Sequence, residues 1–212
     1  MVLRIKNDIF SSNTYLIIDE KEKFCLIIDP GLDEFIIDNR IQELDLKPVA
    51  IISTHGHFDH IGGSAFFKEK YGIPFYLHEA DVKLMKSANF YLRLSKIDRF
   101  IKLVEPDELF VEKKTEIKIS GFELKITNFS GHTPGSCIIQ YKKNLFTGDT
   151  IFKNGLYINK LPGENPIELR KSIIDIFDKF DIELNCFPGH GKDATLEYIK
   201  STNLDLINFL NK

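Results

Sequence analysis

The apolar run Val49-Ala50-Ile51-Ile52 leads straight into Ser53-Thr54-His55-Gly56-His57-Phe58-Asp59-His60-Ile61-Gly62-Gly63. Three of the chain's six histidines and an aspartate fall within the six residues 55–60. Polar groups packed this densely at the end of an apolar strand lose hydration unless something binds them. Imidazoles also gain little from being clustered on a surface. A polar surface loop with accidental histidines is therefore the weaker reading, and the order His-x-His-x-Asp-His suits a metal site better than a packing site.

Three more clusters follow strand-like segments: Ser130-Gly131-His132-Thr133-Pro134-Gly135-Ser136, Phe146-Thr147-Gly148-Asp149-Thr150 and Phe187-Pro188-Gly189-His190-Gly191. In each a single ligand-type residue stands beside glycine, which lets backbone approach closely. Loops at strand ends on a rigid scaffold are where sites are usually built. The candidate ligands are His55, His57, Asp59, His60, His132, Asp149 and His190. One tetrahedral catalytic zinc uses three protein ligands and keeps an open position. Two metals sharing a bridging carboxylate would use the whole set. Nitrogen and carboxylate donors without thiolates suit zinc, iron or manganese. His78, after Phe75-Tyr76-Leu77, is left over and reads as structural.

Around these clusters, residues 2–7, 13–18 and 24–29 read as strands, the last two carrying continuous apolar runs that imply burial on both faces. Helical spacing runs over 33–44, 61–71 and 80–87, with Gly72 as a stop signal. Residues 88–105 fit either an amphipathic helix or a folded apolar flap, with core the preferred role. Strands are expected over 108–112, 115–120, 122–128, 137–141, 144–147 and 183–187. Asn165-Pro166 caps a helix over 167–179, and short helices fill 193–200 and 204–210. Two strand-rich runs, each followed by helices, predict two packed sheets with helices outside, in one domain over 1–212.

A net charge of −3 argues against a nucleic-acid surface. No apolar run reaches the length of a membrane span, and Met1-Val2-Leu3-Arg4-Ile5-Lys6 alternates like a strand instead of forming a signal peptide's apolar core. Cys25, Cys137 and Cys186 are widely spaced, and Cys25 and Cys186 lie in apolar strands, as buried reduced thiols do. A cytoplasmic location and a small-molecule substrate are expected. The oligomeric state has no signature in the sequence.

Taken together, His55-x-His57-x-Asp59-His60, Gly131-His132-Thr133, Gly148-Asp149-Thr150 and Gly189-His190-Gly191 resemble the metallo-β-lactamase superfamily, and within it the small hydrolases related to glyoxalase II. The match runs from Asn13 through Asp29-Pro30-Gly31 to Gly191. The resemblance implies an α/β fold, an αββα sandwich of two mixed sheets with helices on the outer faces and two divalent metals at one edge between the sheets. Zinc is the first expectation, with iron or manganese as alternatives. By the same analogy His55, His57 and His132 hold one metal, Asp59, His60 and His190 the other, and Asp149 bridges. β-Lactamase relatives usually lack that bridging aspartate, which tips the likeness towards glyoxalase II.

The implied reaction is hydrolysis of a thioester such as S-lactoylglutathione, with Asp59 as the catalytic carboxylate. Full-length glyoxalase II enzymes carry a helical extension with basic residues for glutathione, whereas residues 191–212 are all that follow His190 in this sequence. Relatives also tend to carry a Gly-Arg-Thr-Asp-like segment before Leu-Pro-Gly, where this chain reads Tyr157-Ile158-Asn159-Lys160-Leu161-Pro162-Gly163. Tyr157 and Lys160 there are either substrate contacts or parts of a surface loop. Two other functions share the scaffold. A persulfide dioxygenase uses one iron held by His, His and Asp, and a full set of seven ligands disfavours it. A nuclease or phosphodiesterase is disfavoured by the acidic balance. A non-catalytic metal-binding module fits poorly with a complete ligand set.

Overall fold

Strands β2 (Asn13–Ile18), β3 (Phe24–Ile28) and β4 (Lys47–Ile52) are the continuous apolar runs of the sequence, and each is buried on both faces in the computed structural model, which describes residues 1–158 and 163–211. Side chains alternate across a strand. Leu16, Ile18, Cys25, Ile27 and Ile51 therefore enter one apolar core, while Tyr15, Ile17, Leu26, Ile28, Ala50 and Ile52 enter another. These strands form a sheet with β1 (Val2–Lys6), β5 (Phe75–His78) and β6 (Glu108–Phe110), in the order β1-β2-β3-β4-β5-β6. Pairing is antiparallel from β1 to β3 and parallel from β3 to β6.

The second sheet runs β12 (Ala194–Thr195), β11 (Asn185–Pro188), β10 (Asn144–Gly148), β9 (Cys137–Tyr141), β8 (Phe122–Asn128) and β7 (Lys114–Ile119). Among the described residues of this sheet only β10 and β11 pair in parallel. Phe122, Leu124, Ile126, Ile139 and Phe146 face the first sheet and close the central core with it. Ile138, Leu145 and Cys186 face outwards, under α6 (Pro166–Lys179), α7 (Leu196–Thr202) and α8 (Leu204–Leu210). On the far side of the first sheet lie α1 (Glu34–Glu43), α3 (Ser64–Tyr71), α4 (Val82–Lys86) and α5 (Ala88–Leu94), whose Ile37, Ile41, Phe67, Met85 and Leu92 fill the outer core. The order of layers is thus helix, sheet, sheet, helix, as expected from the sequence.

Local chemistry explains the best-formed helix. The Asn165 side chain accepts hydrogen bonds from the Ile167 and Glu168 amides at 3.1 and 3.2 Å, and Pro166 takes the first helical position, where a missing N–H costs nothing. Leu169, Ile173, Ile176 and Phe177 then fall on one buried face. Each such side chain contributes about 1.5–3 kcal/mol when removed from water.

Four expectations need correction. The helix read over 61–71 is two: α2 (Phe58–Ile61) and α3, interrupted at Gly62-Gly63 where the Gly63 amide donates to the Pro30 carbonyl at 2.9 Å. Asp59 and His60 are therefore helical instead of lying in a loop. Ala194–Thr195 pairs with β11 before α7 starts, so the helix read over 193–200 begins at Leu196. The strand read over 183–187 starts at Asn185. Residues 88–105 divide into α5 and an irregular segment; Leu92 and Ile101 are core and Tyr91, Ile97 and Leu103 pack against it, as preferred, but Phe90, Leu94 and Phe100 face solvent. No helix among the described residues is long and apolar enough to cross a membrane.

Candidate metal centre

Because β1, β3, β4 and β5 run one way, as do β8, β10 and β11, their C-terminal ends deliver loops to a single edge of the sandwich. His55 and His57 follow β4, and one turn of α2 swings Asp59 and His60 back over them. His132 follows β8, Asp149 follows β10, and His190 follows β11. All seven sequence-predicted residues meet there.

They fall into two groups. In the first, His55 Nε2 and His132 Nε2 lie 3.1 and 3.0 Å from His57 Nδ1, with Asp149 alongside. In the second, His190 Nε2 lies 3.4 Å from both His60 Nε2 and Asp59 Oδ2. Asp149 stands between the groups: Oδ1 is 3.6 Å from His60 Nε2, and Oδ2 is 3.6 Å from His132 Nε2 and 3.3 Å from His190 Nε2. Glycine at 189 is a requirement of this crowding, because a Cβ there would land on Asp149 Oδ1 and the His60 ring.

Hydrogen bonds behind the rings decide which nitrogens face inwards. Asp29, 1 % exposed at the end of β3, accepts from the Thr54 amide at 2.7 Å, Thr54 Oγ1 at 2.7 Å and His60 Nδ1 at 3.0 Å. With its proton committed to Asp29, Thr54 Oγ1 accepts from His55 Nδ1 at 3.0 Å. His190 Nδ1 donates to the Phe10 carbonyl at 3.0 Å. The Nε2 atoms of His55, His60 and His190 are left to point into the centre.

This donor set fits two metal ions. His57 Nδ1 carries at most one proton, yet two imidazole nitrogens converge on it, so hydrogen bonding alone does not satisfy the first group. Asp149 Oδ1 is buried with no hydrogen-bond partner among the described residues. A cation in each group relieves both. Asp29 also falls into a possible ligand group with His55 and His60. Its three accepted bonds make it the support of those rings, since a carboxylate facing His60 Nδ1 is on the side away from the centre.

Burial, then the neighbouring imidazoles, lowers the pKa of His55, and burial lowers His57 to about 4 and also lowers His132. These rings are neutral and ready to coordinate. Burial pulls His60 down too, but Asp59, Asp149 and Asp29 outweigh it and raise the ring to about 9. Against the same burial, Asp149 and Asp59 raise His190 to about 11. Burial pushes both carboxylates up, and the facing imidazoles more than reverse it, lowering Asp59 and taking Asp149 well below its ordinary range.

Several residues that the sequence did not single out hold the loops in place. Asp81, fully buried, accepts from the Gly56 amide at 2.8 Å, Thr133 Oγ1 at 2.7 Å and the Gly135 amide at 2.7 Å, tying the loop after β4 to the loop after β8. Ser12 Oγ donates to the Asp59 carbonyl at 2.8 Å. Asn13 Nδ2 donates to the Pro188 and Gly191 carbonyls, each at 2.9 Å. Asp29 had one visible signal, its place in the strand-breaking Asp29-Pro30-Gly31; Asp81 had none. His78 lies outside the cluster and accepts from the Ala80 amide at 3.2 Å, a structural role as expected.

Beside the centre opens a cleft of about 600 Å³ with Asp149 and His190 in its lining, together with Phe10 and Tyr157. Tyr157 therefore borders the site. Lys160, with Asn159, Leu161 and Pro162, lies outside the described residues. None of the apolar residues of 88–105 lines this cleft.

Residues 7–190 match the family model of the metallo-beta-lactamase superfamily. The chain is 33% identical over 200 residues to the hydroxyacylglutathione hydrolase GloC of Haemophilus influenzae, covering 92% of each protein. Among solved structures it resembles the BLEG-1 B3 metallo-beta-lactamase, at 29% identity and a TM-score of 0.88 over 97% of this chain and 99% of that one. It also resembles TTHA1623 in a di-iron-bound form, at 27% identity and a TM-score of 0.84, covering 95% of this chain and 98% of that one. With the fold, the order of the motifs and the family match in agreement, the chain belongs to the metallo-beta-lactamase superfamily.

Proposed function

We propose that this protein is a divalent-metal-dependent hydrolase of thioesters. The observation that carries the reading is the position of Asp149, set between two complete ligand groups where one carboxylate can serve both. His55, His57 and His132 would hold one ion, Asp59, His60 and His190 the other, and Asp149 would bridge. Divalent ions held there supply Lewis acidity for the substrate carbonyl and lower the pKa of water towards roughly 7. Zinc, iron and manganese all accept these donors, and the di-iron form of TTHA1623 supports a two-metal reading.

The protein's own contribution is orientation and proton handling. Asp59 is held by the Ser12 hydroxyl through its carbonyl and faces His190 at 3.4 Å, with its carboxyl kept ionised by the two imidazoles. From there Asp59 orients the attacking water and carries its proton towards the leaving group. A thiolate leaves with little acid assistance, which matches a site whose two inward carboxylates are both held ionised. The likeness to GloC supports a thioester substrate.

The test is metal content by elemental analysis together with a panel of thioesters, esters, lactones and a β-lactam. Two metals per chain and thioester turnover are expected, with Asp59→Ala folded but inactive. A metal-loaded protein that turns over a β-lactam and no thioester refutes the reading, as does one iron per chain with oxygen uptake on glutathione persulfide.

A further inference from the structure

Strand β1 carries an alternation that the core does not use up. Leu3 and Ile5 pack on the outer core and Val2 on the central one, so Arg4 and Lys6 share the inward face at the end of the sandwich. There they meet the loop after β11. Arg4 Nη1 donates to the Gly191 carbonyl at 2.9 Å and lies 3.8 Å from the Asp193 carboxylate, so its charge is committed to bracing that loop. Lys6 and Lys192 line the same cleft as Asp149 and His190, and among the described residues neither is paired with a carboxylate.

Resting on the thioester reading above, we infer that Lys6 and Lys192 bind a carboxylate on the thiol portion of the substrate, on the His190 side of the centre. Two ammonium groups lining one cleft, neither paired with a carboxylate among the described residues, favour an anionic visitor and raise its local concentration. An inward charge on an edge strand also guards against edge-to-edge pairing. That role accounts for Lys6 on β1 but not for Lys192, which is on no strand. The cleft has room for the thiol portion: about 600 Å³ lies within the range for small-molecule sites and far exceeds a thioester group. Phe10, 50 % exposed, and Tyr157, 53 % exposed, provide an apolar wall along which the thiol portion lies with its carboxylate at the lysines.

The test compares the metal-loaded wild type with K6E/K192E on two acetyl thioesters, one of neutral N-acetylcysteamine and one of 3-mercaptopropionate. The ratio of kcat/KM for the anionic over the neutral thioester is expected to fall by about tenfold, mostly through KM. Salt is expected to raise KM for the anionic substrate in the wild type and much less in the variant. In parallel, S-methylglutathione, an inert thioether, is titrated into the metal-free forms and is expected to bind the variant more weakly. A ratio unchanged within about twofold, with equal salt dependence, overturns the assignment of the lysines. If neither thioester is turned over while S-methylglutathione binding still depends on the lysines, the hydrolase reading fails and the anion site stands.

Discussion

Asp29→Asn is the substitution by which the support of the centre is best tested. The carboxylate accepts three hydrogen bonds, one at Oδ1 and two at Oδ2, all from groups buried with it. An amide of the same shape keeps one oxygen. If that oxygen replaces Oδ2, the new NH2 faces the Thr54 amide; if it replaces Oδ1, the NH2 faces Thr54 Oγ1 and His60 Nδ1. Either way at least one buried donor loses its acceptor, at about 1–3 kcal/mol. For a chain of this length about 2 kcal/mol lowers the melting temperature by roughly 4–8 °C. Removing the acceptor behind His60, and loosening the Thr54 hydroxyl behind His55, also weakens metal binding by about 10–100-fold. Thermal unfolding of the metal-free protein measures the first effect and competition against a chromophoric chelator the second. A variant with wild-type melting and wild-type metal affinity would refute the role assigned to Asp29.

Gly189→Ala places a methyl group on Asp149 and His60, so the variant is expected to lose about 1–3 kcal/mol of stability and to hold less metal per chain by elemental analysis. Full metal content would show that the edge is less crowded than described. Metal uptake is also expected to release protons. Since carboxylates raise His60 to about 9 and His190 to about 11, both rings are protonated at neutral pH in the metal-free protein and must each lose a proton to coordinate. Below about pH 9 the affinity of that group should therefore fall by roughly a hundredfold per pH unit as pH is lowered. Calorimetry at pH 7 in buffers of different ionisation enthalpy counts the protons; proton-neutral binding would refute the assignment.

Much of this was legible in the sequence because strand burial and ligand chemistry are both local signals. Tyr15-Leu16-Ile17-Ile18 and Cys25-Leu26-Ile27-Ile28 announce strands covered on both faces, and that pattern belongs to an inner sheet. The seven ligand candidates stood out by residue type beside glycine. What escaped notice acts over distance. Asp81 contacts residues 25 to 54 positions away, and nothing next to it in the chain marks it as an acceptor for Gly56, Thr133 and Gly135. The break between α2 and α3 comes from the packing of Gly63 on Pro30, also a tertiary cause. Strand β12 is too short for periodicity to show. Exposed Phe35, Phe90 and Phe100 mislead in the opposite sense, since aromatic spacing on a helix or flap reads as core whether or not a neighbour covers it.

The shared direction of the strands has an engineering consequence. With the chemistry gathered at the C-terminal ends, the tight hairpins at Asp19–Lys23, Ser120–Gly121 and Lys142–Lys143 occupy the opposite rim, joined to the centre only through the sheets. Length can be added there at little entropic cost. A fluorophore, an affinity tag or a whole inserted domain at those turns should leave the ligand loops undisturbed, so one rim of the molecule is available for handling while the other does the chemistry.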